Sequence, residues 1–446
     1  MIKYLDIILT GIKIKKNNLF FFLFIILFLV LLFIFKADLL GSLSLIFVAL
    51  ITFYFSRYYK SLATILYVAL CVRLATIFLG NFFVILPDSW GDATIYEMRA
   101  WEYSRGGFFE VLNYAANAKS SLLVSWLLAF LYSLTGRSVI MLQSVSLLLG
   151  MGSVLLGSRL AHKIWSEKIS IKVGWILALY PTLVLYSCLV LREAYIWFFL
   201  LVALYGIVCW SKDRGFKTLI IILIGFFGAT MFHGGMLIGG FVFLIILGLF
   251  YFIEIIKSLN FLKISISSLV ILSLLIITII YLVSLDSIPK LGSFEGMFDV
   301  NGLLEQMQKR TKNRAAFPEW TIPNTPFELI YKAPIRIIYF AFSPFVWDIK
   351  KISHLFGLFD GIFNMMLFIL LIKNFKSIWG NPTLRIILII LASYFIVFGL
   401  ASGNFGTGLR HRTKFIIVSI LMVAPWIPSL VFDKKQRNIN NKKSDL

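Results

Sequence analysis

The hydrophobic positions of this chain fall into long unbroken runs rather than into alternation. Runs of 18 or more apolar residues recur along its length, which is the pattern of helices that cross a membrane. Strands of a closed barrel would alternate instead. The runs predict about twelve spans, near 18–36, 40–56, 61–86, 138–160, 171–190, 194–210, 217–232, 235–256, 264–284, 354–373, 383–402 and 413–431. The fold class expected is therefore all-α: a polytopic transmembrane helical protein. It divides into an N-terminal hairpin over 1–60, a main transmembrane domain over 61–432 and a basic tail over 433–446.

Two apolar runs do not read as spans. Ser121–Leu134 has about 14 residues, too few to cross a bilayer core. Ala333–Trp347 is interrupted by Pro334, Arg336 and Pro344. Both read as interfacial or re-entrant helices on the outer side. With these two excluded, Lys and Arg fall consistently on one side. Arg57 and Lys60, Arg159 to Lys172, Lys212 to Lys217, Lys257 and Lys263, Lys373 to Arg385 and the Lys434–Lys443 tail all lie inside, as cytoplasmic loops do. Both termini are then cytoplasmic. The opposite face receives segment 87–137, the link at Leu191–Glu193, loop 285–353 and segment 403–412.

Composition fits this layout. The chain is 446 residues, 60% hydrophobic and 14% charged, with a net charge of +21. That charge is a topology and anionic-lipid signal, and no basic soluble domain exists to carry nucleic acid. Cys71, Cys188 and Cys209 lie in or beside apolar runs without metal-ligand spacing, so they read as packing residues. The first apolar run lacks a small-residue cleavage site and reads as a retained helix.

Chemistry concentrates on the outer face. Asp88, Asp92 and Glu193 supply carboxylates, Arg192, Arg410 and Arg412 supply cations, and His233 and His411 accompany them. A carboxylate can take the proton of a hydroxyl nucleophile while guanidinium groups hold a phosphate leaving group. Each residue also has a plainer reading. Asp92 suits the N-cap of a helix starting near Ala93. Arg192–Glu193 suits a helix start. Arg410 and Arg412 suit headgroup anchors, although the Gly403–Gly408 stretch before them reads as a loop whose N–H groups approach an anion. His233 suits an interface. Tyr96, one turn from Asp92, either orients the carboxylate or packs. Arg73 is an intramembrane arginine, a functional candidate by default.

The order Gly91-Asp92-Ala93-Thr94-Ile95-Tyr96, Arg105-Gly106-Gly107, Leu134-Thr135-Gly136-Arg137-Ser138, Leu179-Tyr180-Pro181, Leu191-Arg192-Glu193-Ala194, Ser343-Pro344-Phe345-Val346-Trp347 and Arg410-His411-Arg412 resembles the GT-C class of membrane glycosyltransferases. The nearest branch is the family 39-like or aminoarabinose-transferase-like one, over about 90–425. The resemblance implies a polyprenyl-phosphate-linked sugar donor, a glycan or lipid acceptor and a site on the outer face of a bacterial inner membrane. It maps the candidate base onto Asp92, a second acid onto Glu193 and the lipid-phosphate contact onto Arg410 and Arg412. No cofactor is required by it with certainty, and a divalent metal stays open. The chain departs from that pattern in its N-terminal hairpin, its lack of a large C-terminal soluble domain and its single acid at Asp92. Two other functions compete: a repeat-unit polymerase acting on pyrophosphate-linked oligosaccharides, and a transporter of lipid-linked glycans.

Overall fold

The computed structural model describes residues 16–114, 122–259, 315–350 and 353–428, with a few isolated helical positions between 273 and 307. The expected span 264–284, most of loop 285–314 and the tail 433–446 lie outside the described residues. The rest is helical. In chain order the helices are α1 (Lys16–Ile34), α2 (Leu39–Tyr58), α3 (Ala63–Phe82), α4 (Asp92–Ser104), α5 (Phe108–Asn113), α6 (Leu123–Thr135), α7 (Val139–Ile164), α8 (Glu167–Leu179), α9 (Pro181–Ser187), α10 (Glu193–Asp213), α11 (Phe216–Phe232), α12 (Leu237–Leu259), α13 (Pro326–Phe342), α14 (Ser353–Lys373), α15 (Phe375–Gly380), α16 (Pro382–Ala401) and α17 (Phe405–Val423). Seven of the described helical segments are long and apolar enough to cross a membrane, and an eighth is formed if α8 and α9 count as one broken span. This is the architecture of a helical membrane protein.

The helix-closing basic residues gather at one end of the bundle. At one end Arg159 stacks on Tyr59 at 4.7 Å, Lys163 lies 5.1 Å from the Tyr205 ring, and the Thr383 hydroxyl donates to Ser211 at 2.6 Å. The basic residues that close α2, α7 and α10 therefore share one end. At the other end Asn81 donates to Gln143 at 2.8 Å, and Gly41 packs on Ile140.

The two short apolar runs form helices α6 and α13. Helix α6 has 13 residues, roughly 20 Å at 1.5 Å per residue. It packs on α4, where the Tyr132 hydroxyl donates to Glu97 at 2.9 Å and Trp101 meets Tyr132 edge-on at 5.9 Å. Helix α13 opens with a Thr325 cap and Pro326 at its first position. It descends beside α16, with Phe340 5.5 Å from Phe395, and ends at Phe342 against Phe368. The chain then reverses. Pro344 lies beside Gly357, one turn above Gly361, which touches Phe342, and Phe345 folds back on Tyr339 at 5.2 Å. Helix α13 thus ends within the bundle and the chain turns back on it.

A helix that stops inside a bundle leaves its last carbonyls without donors. Here cations supply them. Helix α8 stops at Pro181, which has no N–H to continue it, and α9 leaves at 61°. Arg73 donates to the Leu177 and Ala178 carbonyls at 3.1 and 2.9 Å and to the Ser187 hydroxyl at 2.9 Å. Arg336 donates to the Leu400 and Ser402 carbonyls at the end of α16 at 3.2 and 2.6 Å. Lys172 donates to the Ala424, Pro425 and Ile427 carbonyls beyond α17. Arg412 does the same for α13, donating from Nη1 to Phe340, Ala341 and Ser343 at 3.2, 3.1 and 2.8 Å.

Candidate functional site

Three of the residues singled out in the sequence meet directly. The Arg410 guanidinium donates from Nη1 to Asp92 Oδ2 at 2.7 Å and from Nη2 to Glu193 Oε1 at 3.1 Å. The three side chains come from the first turns of α4 and α10 and the second turn of α17, separated by 318 and 217 positions. They lie at the end of the bundle opposite the basic residues. Exposure grades across the cluster: Asp92 is 45% exposed, Arg410 is 18% and Glu193 is 1%. Asp92 therefore faces the entrance and Glu193 the interior.

Local backbone explains how each is presented. Gly91 takes φ 81°, a left-handed conformation that glycine adopts without steric cost, and starts α4 without a side-chain cap. The capping reading of Asp92 does not hold: it is the first residue of the helix, and its carboxylate reaches Arg410. Four residues earlier Asp88, at φ 59°, accepts from the Tyr186 hydroxyl at 2.8 Å. This ties the loop before α4 to α9. Between α9 and α10 the chain is non-helical over Cys188–Arg192, and Arg192 occupies the N-cap position of α10 without a capping side chain.

Helix α17 begins earlier than its apolar run indicates. Asn404 caps it by accepting from the Thr407 N–H at 2.7 Å, so Gly406 and Gly408 lie in the first turns rather than in a loop. The reading of Gly403–Gly408 as an anion-binding loop is corrected accordingly. The Thr407 and Gly408 N–H groups are spent on Asn404, and that of Phe405 on the Ala315 carbonyl. Starting at Phe405 places Arg410 and Lys414 four residues apart, on one face. Lys414 is fully buried and lies 2.6 Å from His411 Nδ1. The His411 and His233 rings meet edge-on at 5.0 Å, both beside Phe398. His233 Nδ1 accepts from the Gly235 N–H at 3.2 Å. Around Glu193 the charges are Arg410, Lys414 and Arg192. Tyr96 is buried in the same neighbourhood, and burial raises its phenol above the usual value, so it stays protonated.

Two expected site residues lie elsewhere. Arg73 is 1% exposed and bonded to the break between α8 and α9. Arg412 is fully buried. Besides the α13 carbonyls it donates from Nε to Asp360 Oδ2 at 2.7 Å, and Asp360 Oδ1 accepts from the hydroxyls of Tyr180 at 2.6 Å and Thr182 at 3.2 Å. As a phosphate contact Arg412 is corrected: one residue makes 100° of helix, so Arg410 and Arg412 face away from each other, and the second is occupied by the interior.

The sequence reading missed Lys414, Asp360 and the Asp88–Tyr186 tie. All three groups are ionisable and stand in or beside apolar runs, which is the signal that selected Arg73. Glu97 is a further buried carboxylate, held by both donors of Arg137 at 2.8 and 2.9 Å and by Tyr132. It fastens α4 to the turn before α7. Among the described residues no three His, Cys, Asp or Glu side chains converge to hold a metal ion. No protein-family model, curated protein or solved structure matches the chain.

Proposed function

We propose that the chain is an integral-membrane glycosyltransferase of GT-C type, with about twelve spans and both termini cytoplasmic. It transfers a sugar from a polyprenyl-phosphate donor to a glycan or lipid acceptor at the outer face of a bacterial inner membrane. The observation that carries this reading is the Asp92–Arg410–Glu193 cluster at the end of the bundle remote from the basic loops. A lipid-borne leaving group requires its site at a membrane boundary, and this cluster combines a solvent-reachable carboxylate with guanidinium groups there.

The acceptor hydroxyl oxygen attacks the anomeric carbon. Asp92 takes the hydroxyl proton, and the bond from the anomeric carbon to the phosphate oxygen breaks, its electron pair leaving on the phosphate. Cationic side chains offset that developing charge in a site with little water. A single displacement inverts the anomeric centre. In the resting cluster Asp92 accepts from Arg410 at 2.7 Å. Glu193 is closed off from substrate by Arg410 and acts through it, as a positioning residue. Tyr96, His233 and His411 complete the wall of the site.

The test is Asp92→Asn, expressed in a strain lacking the native gene, with envelope glycan and protein level measured together. Loss of the glycan at normal protein level is the expected outcome, with missing side sugars rather than capped single repeat units. An unchanged glycan profile sinks the assignment of Asp92 as base.

A further inference from the structure

Arg192 and Arg410 stand beside the same carboxylate and differ in what they bind. Both Nη atoms of Arg410 are spent on Asp92 and Glu193, and only its buried Nε has no partner. Arg192 has Nε and Nη1 shielded from solvent with no hydrogen-bond partner. A guanidinium carries five N–H donors and cannot shed its charge, so buried empty donors are costly unless a ligand fills them. Arg192 also sits at the N-cap of a 21-residue helix whose first turn no side chain caps. Such a terminus favours an anion. The surroundings add Lys414 and Arg410 near Glu193, and Tyr96 and His411 lie within reach of the Arg192 charge.

We propose that Arg192, at the start of α10, is the seat of a phosphate group, and that Arg410 is a positioning residue that keeps the seat empty of carboxylates. The chemistry is that of a tetrahedral oxyanion accepting charge-assisted N–H bonds from a guanidinium whose Nε and Nη1 have no partner. For the identity of its carrier, a polyprenyl chain, the proposal rests on the transferase reading. Glu193 is the natural competitor. Its Oε2 is buried and without a partner, one residue from Arg192. While Arg410 holds Oε1, Glu193 is committed away from the seat. Without Arg410, Glu193 turns to Arg192 and occupies it.

This arrangement gives a pattern of variants that a direct Arg410 contact does not. Purified full-length protein in phosphatidylcholine nanodiscs is titrated with undecaprenyl phosphate, and separately with inorganic phosphate, by microscale thermophoresis. Folding is checked by the melting temperature. Arg192→Gln weakens undecaprenyl phosphate binding by tenfold or more. Arg410→Gln weakens it as well, and Arg410→Gln/Glu193→Gln restores it to within about threefold of the wild type. Arg192→Gln/Glu193→Gln stays weak. Arg192→Lys, the fallback if the glutamine variant does not fold, keeps the charge without the guanidinium donors and binds at an intermediate level. Wild-type affinity in Arg192→Gln overturns the proposal. So does a double variant Arg410→Gln/Glu193→Gln that stays as weak as Arg410→Gln, or a wild type that binds neither anion. Binding of inorganic phosphate without the lipid phosphate keeps the anion seat and removes the transferase reading. Loss of binding in Arg192→Gln with retained glycan in cells removes the link between seat and donor.

Discussion

Replacing Arg412 with Met separates a structural cation from a ligand-binding one. Met fills roughly the volume of the arginine stem and removes the charge. The side chain lost is fully buried and makes one charge-assisted bond to Asp360 and three to the end of α13. Asp360, itself 1% exposed, keeps only the hydroxyls of Tyr180 and Thr182. Breaking a buried pair from one side costs about 3–5 kcal/mol, because the remaining charge stays in a low-dielectric interior. Three carbonyls without their donor add on the order of 1–3 kcal/mol. Thermal unfolding in a fixed detergent, followed by tryptophan fluorescence, is expected to fall by roughly 10 °C or more. Adding Asp360→Asn removes the stranded charge and recovers about 2 kcal/mol, a coupling typical of direct partners. A variant Arg412→Met that melts with the wild type while losing lipid-phosphate binding refutes this account and returns Arg412 to the site.

Two further outcomes are expected. Gly225 lies against the backbone of α10, where an added Cβ would meet Ala203 N at 2.3 Å. Gly225→Ala therefore forces α10 and α11 apart and costs about 1–3 kcal/mol, whereas Gly215→Ala, with open space around it and an ordinary backbone, leaves the melting temperature unchanged; equal effects refute the packing argument. In a background without Cys71, Cys188 and Cys209, an impermeant maleimide on intact cells is expected to label Trp90→Cys, at the exposed turn before α4, but to label Lys168→Cys only after permeabilisation. The reverse pattern inverts the orientation and places the cluster in the cytoplasm.

The helical plan was legible because each long helix is coded by its own apolar run. The runs predicted at 138–160, 235–256 and 383–402 match α7, α12 and α16 closely. The meeting of Asp92, Glu193 and Arg410 was legible only as a shared face, since chemistry made each of them conspicuous in an apolar chain. Pairings were not legible. Arg410 and Arg412 look alike in sequence, and their opposite fates follow from a helix start at Asn404 that glycines and a following basic triplet disguise. Arg412 finds Asp360 across 52 positions, a distance no periodicity encodes. The 171–190 run was read as one span because its hydropathy is continuous, yet Pro181 bends it by 61°. Arg73 makes that break tolerable, and its role depends on carbonyls that only the folded chain brings within reach.

The cationic caps impose an order on synthesis. Arg73 is made before α8, so the donor for that break is waiting when the break emerges from the ribosome. Arg412 comes some 70 residues after the carbonyls it satisfies and 52 after Asp360. Until α17 arrives, the end of α13 lacks its donor and Asp360 has the Tyr180 and Thr182 hydroxyls but no cation. Helix α17 is thus the bolt of the assembly, and a chain terminated before Arg412 leaves Asp360 and the α13 carbonyls without their cation.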